Sequence, residues 1–260
     1  MREESQNWLK QRSRTLEQGV VACLIVAAGA GSWDDLFARA LWLPSILIVL
    51  LALRLMDDLG SLEYDRNKKN APQHTQSADL TPLRRFMTTL AVLGSVSTLV
   101  FWDWVATLGV TALLSVYHLA YHLMPEKMWT PHRHLWVHLK YPALTLLFAW
   151  PVVPGDIGGA LALYALFGVF ELVDEQKFRR DTARLFYASA YGTLVALAVL
   201  LRLESQRAGE GLEEALIAGG LAAAFGIGVR GQKGVGQTLK YLPFAVGLLS
   251  LLISGNRVPG

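Results

Sequence analysis

Apolar and polar positions fall into long blocks along the chain, with none of the strict alternation of a half-buried strand. Nine apolar runs stand near residues 19–32, 41–56, 86–101, 105–123, 135–153, 158–172, 186–201, 215–229 and 242–253, each bounded by polar or charged segments. Runs this long that are hydrophobic on all sides predict helices buried in a large core or in lipid. The expected fold is all-α: nine transmembrane helices in a bundle around a central cavity. Several runs are shorter than the roughly 20 residues that cross the hydrocarbon core, so they must tilt or borrow flanking polar residues. No linker rich in Pro, Ser or Gly divides the chain, which predicts a single domain over 1–260, with 1–17 as an amphipathic lead-in.

Composition strengthens the membrane expectation. Hydrophobic residues make up 53% of the 260 positions and charged residues only 17%, against about a quarter in a typical soluble domain. The net charge of +3 raises nucleic acid as a partner, and the placement of the basic residues argues against it. With nine spans, 19 of the 24 Lys and Arg residues fall on the side of the N-terminus, and four (Arg39, Arg202, Arg207 and Arg257) on the other, Arg54 lying within the second run. Positive charge stays cytoplasmic during insertion. The expectation is therefore a multi-pass protein with a cytoplasmic N-terminus, in contact with the lipid bilayer and with no nucleic acid. The basic start followed by Ala28-Gly29-Ala30 imitates a secretory leader, but its length and the acids Glu3, Glu4 and Glu17 favour a cytoplasmic lead-in. A single cysteine, Cys23, excludes an intramolecular disulfide and reads as a small buried hydrophobe.

Candidate chemistry gathers where charge meets the ends of two apolar runs. On a helix, Arg54, Asp58, Ser61 and Asp65 fall within an arc of roughly 60°, so two carboxylates and a cation share a face. Acids at membrane depth are costly and usually functional. A second acidic set, Glu171, Asp174, Glu175 and Asp181, ends the sixth run with Lys177, Arg179 and Arg180 interleaved. On a continuous helix Glu171, Asp174 and Asp181 fall within about 80°. Two such clusters facing each other would suit metal-bridged diphosphate chemistry. The competing reading is a pair of solvated helix ends whose acids pair with neighbouring Arg and Lys.

The first cluster resembles the aspartate-rich motif of the UbiA superfamily of intramembrane prenyltransferases, Asn-Asp-x-x-Asp-x-x-x-Asp at the cytoplasmic end of helix two. The matching positions are Asp57, Asp58, Ser61 and Asp65, followed by Arg66-Asn67-Lys68-Lys69. Asp57 stands where the family has Asn, Ser61 where it has the central Asp, and Asn70-Ala-Pro-Gln where it has an Arg-Pro segment. Phe170-Glu-Leu-Val-Asp174-Glu-Gln-Lys-Phe-Arg-Arg-Asp181 is similar to the family's second acidic motif. The resemblance implies Mg²⁺-dependent transfer of an isoprenyl group from an isoprenyl diphosphate to a hydrophobic, for instance aromatic, acceptor. It implies Asp58, Asp65, Glu171 and Asp174 as catalytic carboxylates, joined in holding Mg²⁺ by Asp57, Glu175 and Asp181. Arg54, Arg66, Lys68, Lys127, Lys140 and Lys177 are the implied diphosphate contacts. Carboxylate oxygens suit magnesium, which neutralises the leaving diphosphate. Alternatives within the same resemblance are a terpene cyclase that needs no acceptor and a lipid-binding membrane protein that has lost catalysis.

Other patterns carry less. Tyr117, Tyr121, Trp129, Trp136, Tyr141, Trp150, Tyr164, Phe170 and Tyr187 are candidates to line an apolar cavity, with ordinary packing or an interfacial belt as the competing reading. His118 and His122 have the spacing of two ligands on one helix face, but no intervening Glu and no evident third ligand, which disfavours zinc. His132, His134 and Lys140 are expected in the loop 124–140. Gly226-Ile-Gly228-Val-Arg-Gly231 matches a dinucleotide fingerprint in letters only, because it follows an apolar helix and no strand.

Overall fold

The computed structural model describes residues 15–29, 38–62, 79–123, 133–152, 154–174 and 181–204. Among them are eight α-helices and no strand: α1 Thr15–Gly29, α2 Leu43–Gly60, α3 Thr81–Phe101, α4 Trp104–Leu123, α5 Arg133–His138, α6 Lys140–Phe148, α7 Pro154–Asp174 and α8 Asp181–Glu204. The all-α expectation holds. The first seven apolar runs are helical where described, and the eighth and ninth lie outside the described residues. Among the described residues only α4 has the length and apolarity of a membrane-crossing helix, 20 residues with mean hydropathy 1.3.

The chain divides into two compact units, Met1–Cys23 with Ala40–Arg133, and Leu24–Arg39 with His134–Gly260. In the first, α2, α3 and α4 run up, down and up. Trp42, just before α2, stacks on Trp102, just after α3, with ring centroids 3.9 Å apart. At the other end Tyr121 of α4 reaches Asp57 of α2. Proline in the first turn starts both α2 and α3, where its missing N–H costs nothing. Asp103 starts α4 by accepting the Ala106 amide at 2.7 Å. The innermost helix is α2, with Ile46, Val49, Leu50, Leu53, Leu55 and Met56 all buried. By contrast α3 and α4 expose Val92, Val96, Val100, Leu108, Val116 and Leu119. Their hydroxyls mostly return to their own helix: Thr88 to the Arg84 carbonyl, Thr98 to Ser95 and Ser115 to Thr111. Such back-bonding satisfies a polar group on an apolar face.

In the second unit α7 and α8 pack along one another over a core of Ala165, Val169, Ala188 and Tyr191. Gly168 makes the close approach possible, since a Cβ there would meet the Tyr191 ring. Tyr141 of α6 stacks on Phe167 of α7 at 3.9 Å. Tyr164 of α7 donates to the Leu135 carbonyl of α5 at 3.2 Å. Arg39 donates to the Phe148 carbonyl at 2.7 Å, placing a cation at the negative end of α6.

Three expectations are corrected. The run 135–153 is two short helices, broken at Leu139, whose amide bonds back to Trp136 three residues earlier at 3.0 Å. Pro142 has no N–H for the His138 carbonyl and its ring crowds that carbonyl, so a continuous helix is interrupted one residue after His138. For the same reason the segment 124–140 is not a loop throughout: residues 133–138 are helical and Lys140 opens α6. The described members of the acidic set do not lie on one helix either: Glu171 and Asp174 stand on α7 and Asp181 on α8, two helices that pack along one another, so the 80° arc that assumed continuity does not apply to Asp181.

Candidate functional site

The last two turns of α2 bring Arg54, Asp57 and Asp58 together. Arg54 Nη1 lies 3.9 Å from Asp57 Oδ2 and its Nε 3.6 Å from Asp58 Oδ1, the i, i+3 and i, i+4 relations of one helix face. Both acids are buried, at 8% and 3% exposure. Their position is costly twice over. Burial disfavours charge, and a carboxylate at a helix C-terminus faces the negative end of the macrodipole, an unfavourable effect of about 0.3–1 kcal/mol for each. One guanidinium lies against both buried carboxylates. These acids are therefore not a solvated helix end, although the pairing with Arg54 that such a reading expected is present.

Ser61 closes the helix. Its amide bonds the Asp57 carbonyl at 3.0 Å, and its hydroxyl donates to the Asp57 and Asp58 carbonyls at 2.9 and 3.4 Å. The position where the motif has its central Asp is thus spent on capping the backbone. From the neighbouring helix α4, the Tyr121 hydroxyl donates to Asp57 Oδ1 at 3.0 Å. The Tyr121 ring lies over Gly60, where an added Cβ would sit 2.7 Å from the ring Cγ.

Asp65, Arg66, Lys68, Lys127, Glu175 and Lys177 lie outside the described residues. Glu171 and Asp174 stand on the end of α7 and Asp181 at the start of α8, described there by backbone alone. Lys140 is buried at 3% exposure, with Nζ 5.3 Å from the centroid of the Tyr141 ring, a cation–π arrangement. His118 and His122 stand exposed on α4 with nearly parallel rings 6.3 Å apart. Among the described residues no three His, Cys, Asp or Glu side chains gather around a common point.

The donor chemistry at the end of α2 nevertheless fits magnesium. That ion is commonly held by one or two carboxylates together with phosphate oxygens and water, and two adjacent buried aspartates supply the protein's share. Sequence reasoning named Tyr121 only as one aromatic among nine and passed over Gly60. No family model matches the chain, and neither does any curated protein or solved structure.

Proposed function

We propose that the protein is a multi-pass membrane enzyme of the UbiA type, an intramembrane prenyltransferase moving an isoprenyl group from an isoprenyl diphosphate to a hydrophobic acceptor. The observation that carries the reading is the Asp57–Asp58 pair: two buried carboxylates at the helix end where the dipole opposes them, with Arg54 beside both. Acids at membrane depth are costly and mark functional sites by default, which supports a cation-binding role for the pair. Support for a bilayer setting comes from the nine apolar runs, the 19-to-4 division of basic residues, and the exposed aliphatic faces of α3 and α4 with their self-bonded hydroxyls. In this reading the N-terminus and the acidic segments are cytoplasmic.

Asp57, Asp58 and Asp65 would hold Mg²⁺, with Glu171, Asp174, Glu175 and Asp181 as the further carboxylates of the second motif. Magnesium, when bound, neutralises the leaving diphosphate. Arg54 adds positive charge at the same helix end, and Arg66, Lys68, Lys127, Lys140 and Lys177 are the remaining cations proposed to meet the phosphates. The apolar helices exclude water from the allylic cation left behind until the acceptor captures it. The test is pyrophosphate release from a panel of isoprenyl diphosphates, with and without Mg²⁺ and with and without acceptor. Release that needs Mg²⁺ and is lost in folded Asp58→Ala is expected; full Mg²⁺-dependent release by Asp58→Ala sinks the assignment. A cyclic product formed without acceptor would make the protein a terpene cyclase instead.

A second reading, a lipid-binding membrane protein without turnover, is favoured by Ser61, whose hydroxyl caps the backbone where the motif has a carboxylate. Isoprenyl diphosphate binding with no pyrophosphate release under any condition would select it.

A further inference from the structure

We infer that Tyr121 is a positioning residue for the Asp57–Asp58 site, holding the Asp57 carboxylate in the orientation in which it would bind a divalent cation. The inference rests on the metal-binding reading above. Each oxygen of Asp57 is held from a different side: Oδ1 accepts from Tyr121 of α4 at 3.0 Å, and Oδ2 faces Arg54 of its own helix at 3.9 Å. The tyrosine reaches the carboxylate from a neighbouring helix, whereas Arg54 meets it from its own. A carboxylate fixed by an outer hydrogen bond enters a metal site already oriented, and loss of such a partner typically costs 10–100-fold in metal affinity.

The ring of Tyr121 is seated by a separate feature. It lies against Gly60, on the same turn as the acids, where a Cβ would fall 2.7 Å from the ring Cγ and 3.1 Å from the tyrosine Cβ. These are atoms near the α4 backbone, so the ring cannot swing aside to make room. Tyr117, one turn earlier and buried, flanks it with ring centroids 6.2 Å apart. The glycine therefore sets how close α4 comes to the end of α2, and that distance sets the hydroxyl on Asp57. A tyrosine serving only as a strut between the two helices would need the ring contact but not the hydroxyl on a carboxylate.

Two variants separate the roles. Tyr121→Phe keeps the ring in its notch and removes the hydroxyl; Gly60→Ala keeps the hydroxyl and displaces the ring. Each is compared with the parent in detergent, by Mn²⁺ titration followed by electron paramagnetic resonance and by thermal unfolding. Asp57→Ala marks which Mn²⁺ signal belongs to the site. The expected result is a rise of about tenfold or more in the Mn²⁺ concentration for half-saturation in Tyr121→Phe, with a smaller fall in the unfolding midpoint than Gly60→Ala gives. Gly60→Ala is expected to shift Mn²⁺ binding in the same direction and to lower the unfolding midpoint as well. Parent-like Mn²⁺ binding in Tyr121→Phe, or in Gly60→Ala, overturns the positioning role while leaving the proposed function standing. A parent protein with no Mn²⁺ signal dependent on Asp57 overturns both.

Discussion

Arg54 decides whether the end of α2 tolerates its two acids. Its side chain is 32% exposed and its contacts to Asp57 and Asp58 are 3.9 and 3.6 Å, so it is neither a deeply buried partner nor a surface one. Removing one partner of a buried ion pair costs about 3–5 kcal/mol, while exposed pairs contribute about 0–1 kcal/mol. With Arg54 a third exposed, Arg54→Met is expected to lose about 1–3 kcal/mol in reversible unfolding in detergent, because a positive charge beside both buried carboxylates is removed. Asp58→Asn added to Arg54→Met should recover part of that loss by removing one of the two buried carboxylates. A double variant no more stable than Arg54→Met would mean that Asp58 draws nothing from the arginine. The cycle also distinguishes stability from function, since Asp58→Asn should weaken cation binding whatever it does to unfolding.

At the scale of elements, the helix starts were legible and the contacts between helices were not. Pro44, Pro82 and Asp103 announce where α2, α3 and α4 begin, and each does so through a local backbone rule. Pro142 carried an equally local signal for the break after His138, hidden by the apolar run around it. Tyr121 and Asp57 are 64 residues apart, and no periodicity within either helix says which neighbour it will face. The close approaches at glycines are invisible in sequence for the same reason. They make a graded prediction: at Gly159 an added Cβ meets the backbone of Ala28 in α1, with the carbonyl carbon 2.9 Å away, whereas at Gly168 it meets the far end of the Tyr191 ring. A backbone cannot turn aside and a ring tip can, so Gly159→Ala should cost more in thermal stability than Gly168→Ala, the overpacking range being about 1–3 kcal/mol. Equal losses would mean that α1 is free to move away from α7. A pH effect belongs to the start of α3. The Thr81 hydroxyl and amide, the amide at 2.9 Å, hold the carboxyl of Asp79 below its ordinary value of 3.8. A depressed carboxylate stabilises above that ordinary value and loses its contribution as pH falls through the lower folded-state value. Amide exchange at Thr81 should therefore quicken relative to the rest of α3 as pH falls below about 3.8, and in Asp79→Ala at all pH values. Identical exchange in Asp79→Ala would remove the cap.

For the whole molecule, the decisive question is which segments share a side of the bilayer, because the proposed chemistry needs its acids and cations in one compartment. Within the first unit the two ends already differ. The Trp42–Trp102 stack and Trp104 mark one, and in the proposed bilayer setting these rings would sit at headgroup level. Arg54, Arg84, Arg85 and Tyr121 mark the other. From Trp104 to Tyr121 a helix rises about 25 Å, close to the thickness of a thin hydrocarbon layer. The proposed nine-span topology puts the arginine end in the cytoplasm, with the segments after the second and sixth runs on that side and the segment after the seventh on the other. Replacing Cys23 by Ser leaves a cysteine-free chain, into which Gln76→Cys, Gln176→Cys and Gln206→Cys are introduced singly. In intact cells a membrane-impermeant maleimide should label only the variant at 206; after permeabilisation all three should react. Labels at 76 and 176 that report opposite sides would break the parity of the spans between them. A hydrophilic diphosphate could not then meet both acidic segments from one compartment, and magnesium chemistry would have to be confined to the end of α2.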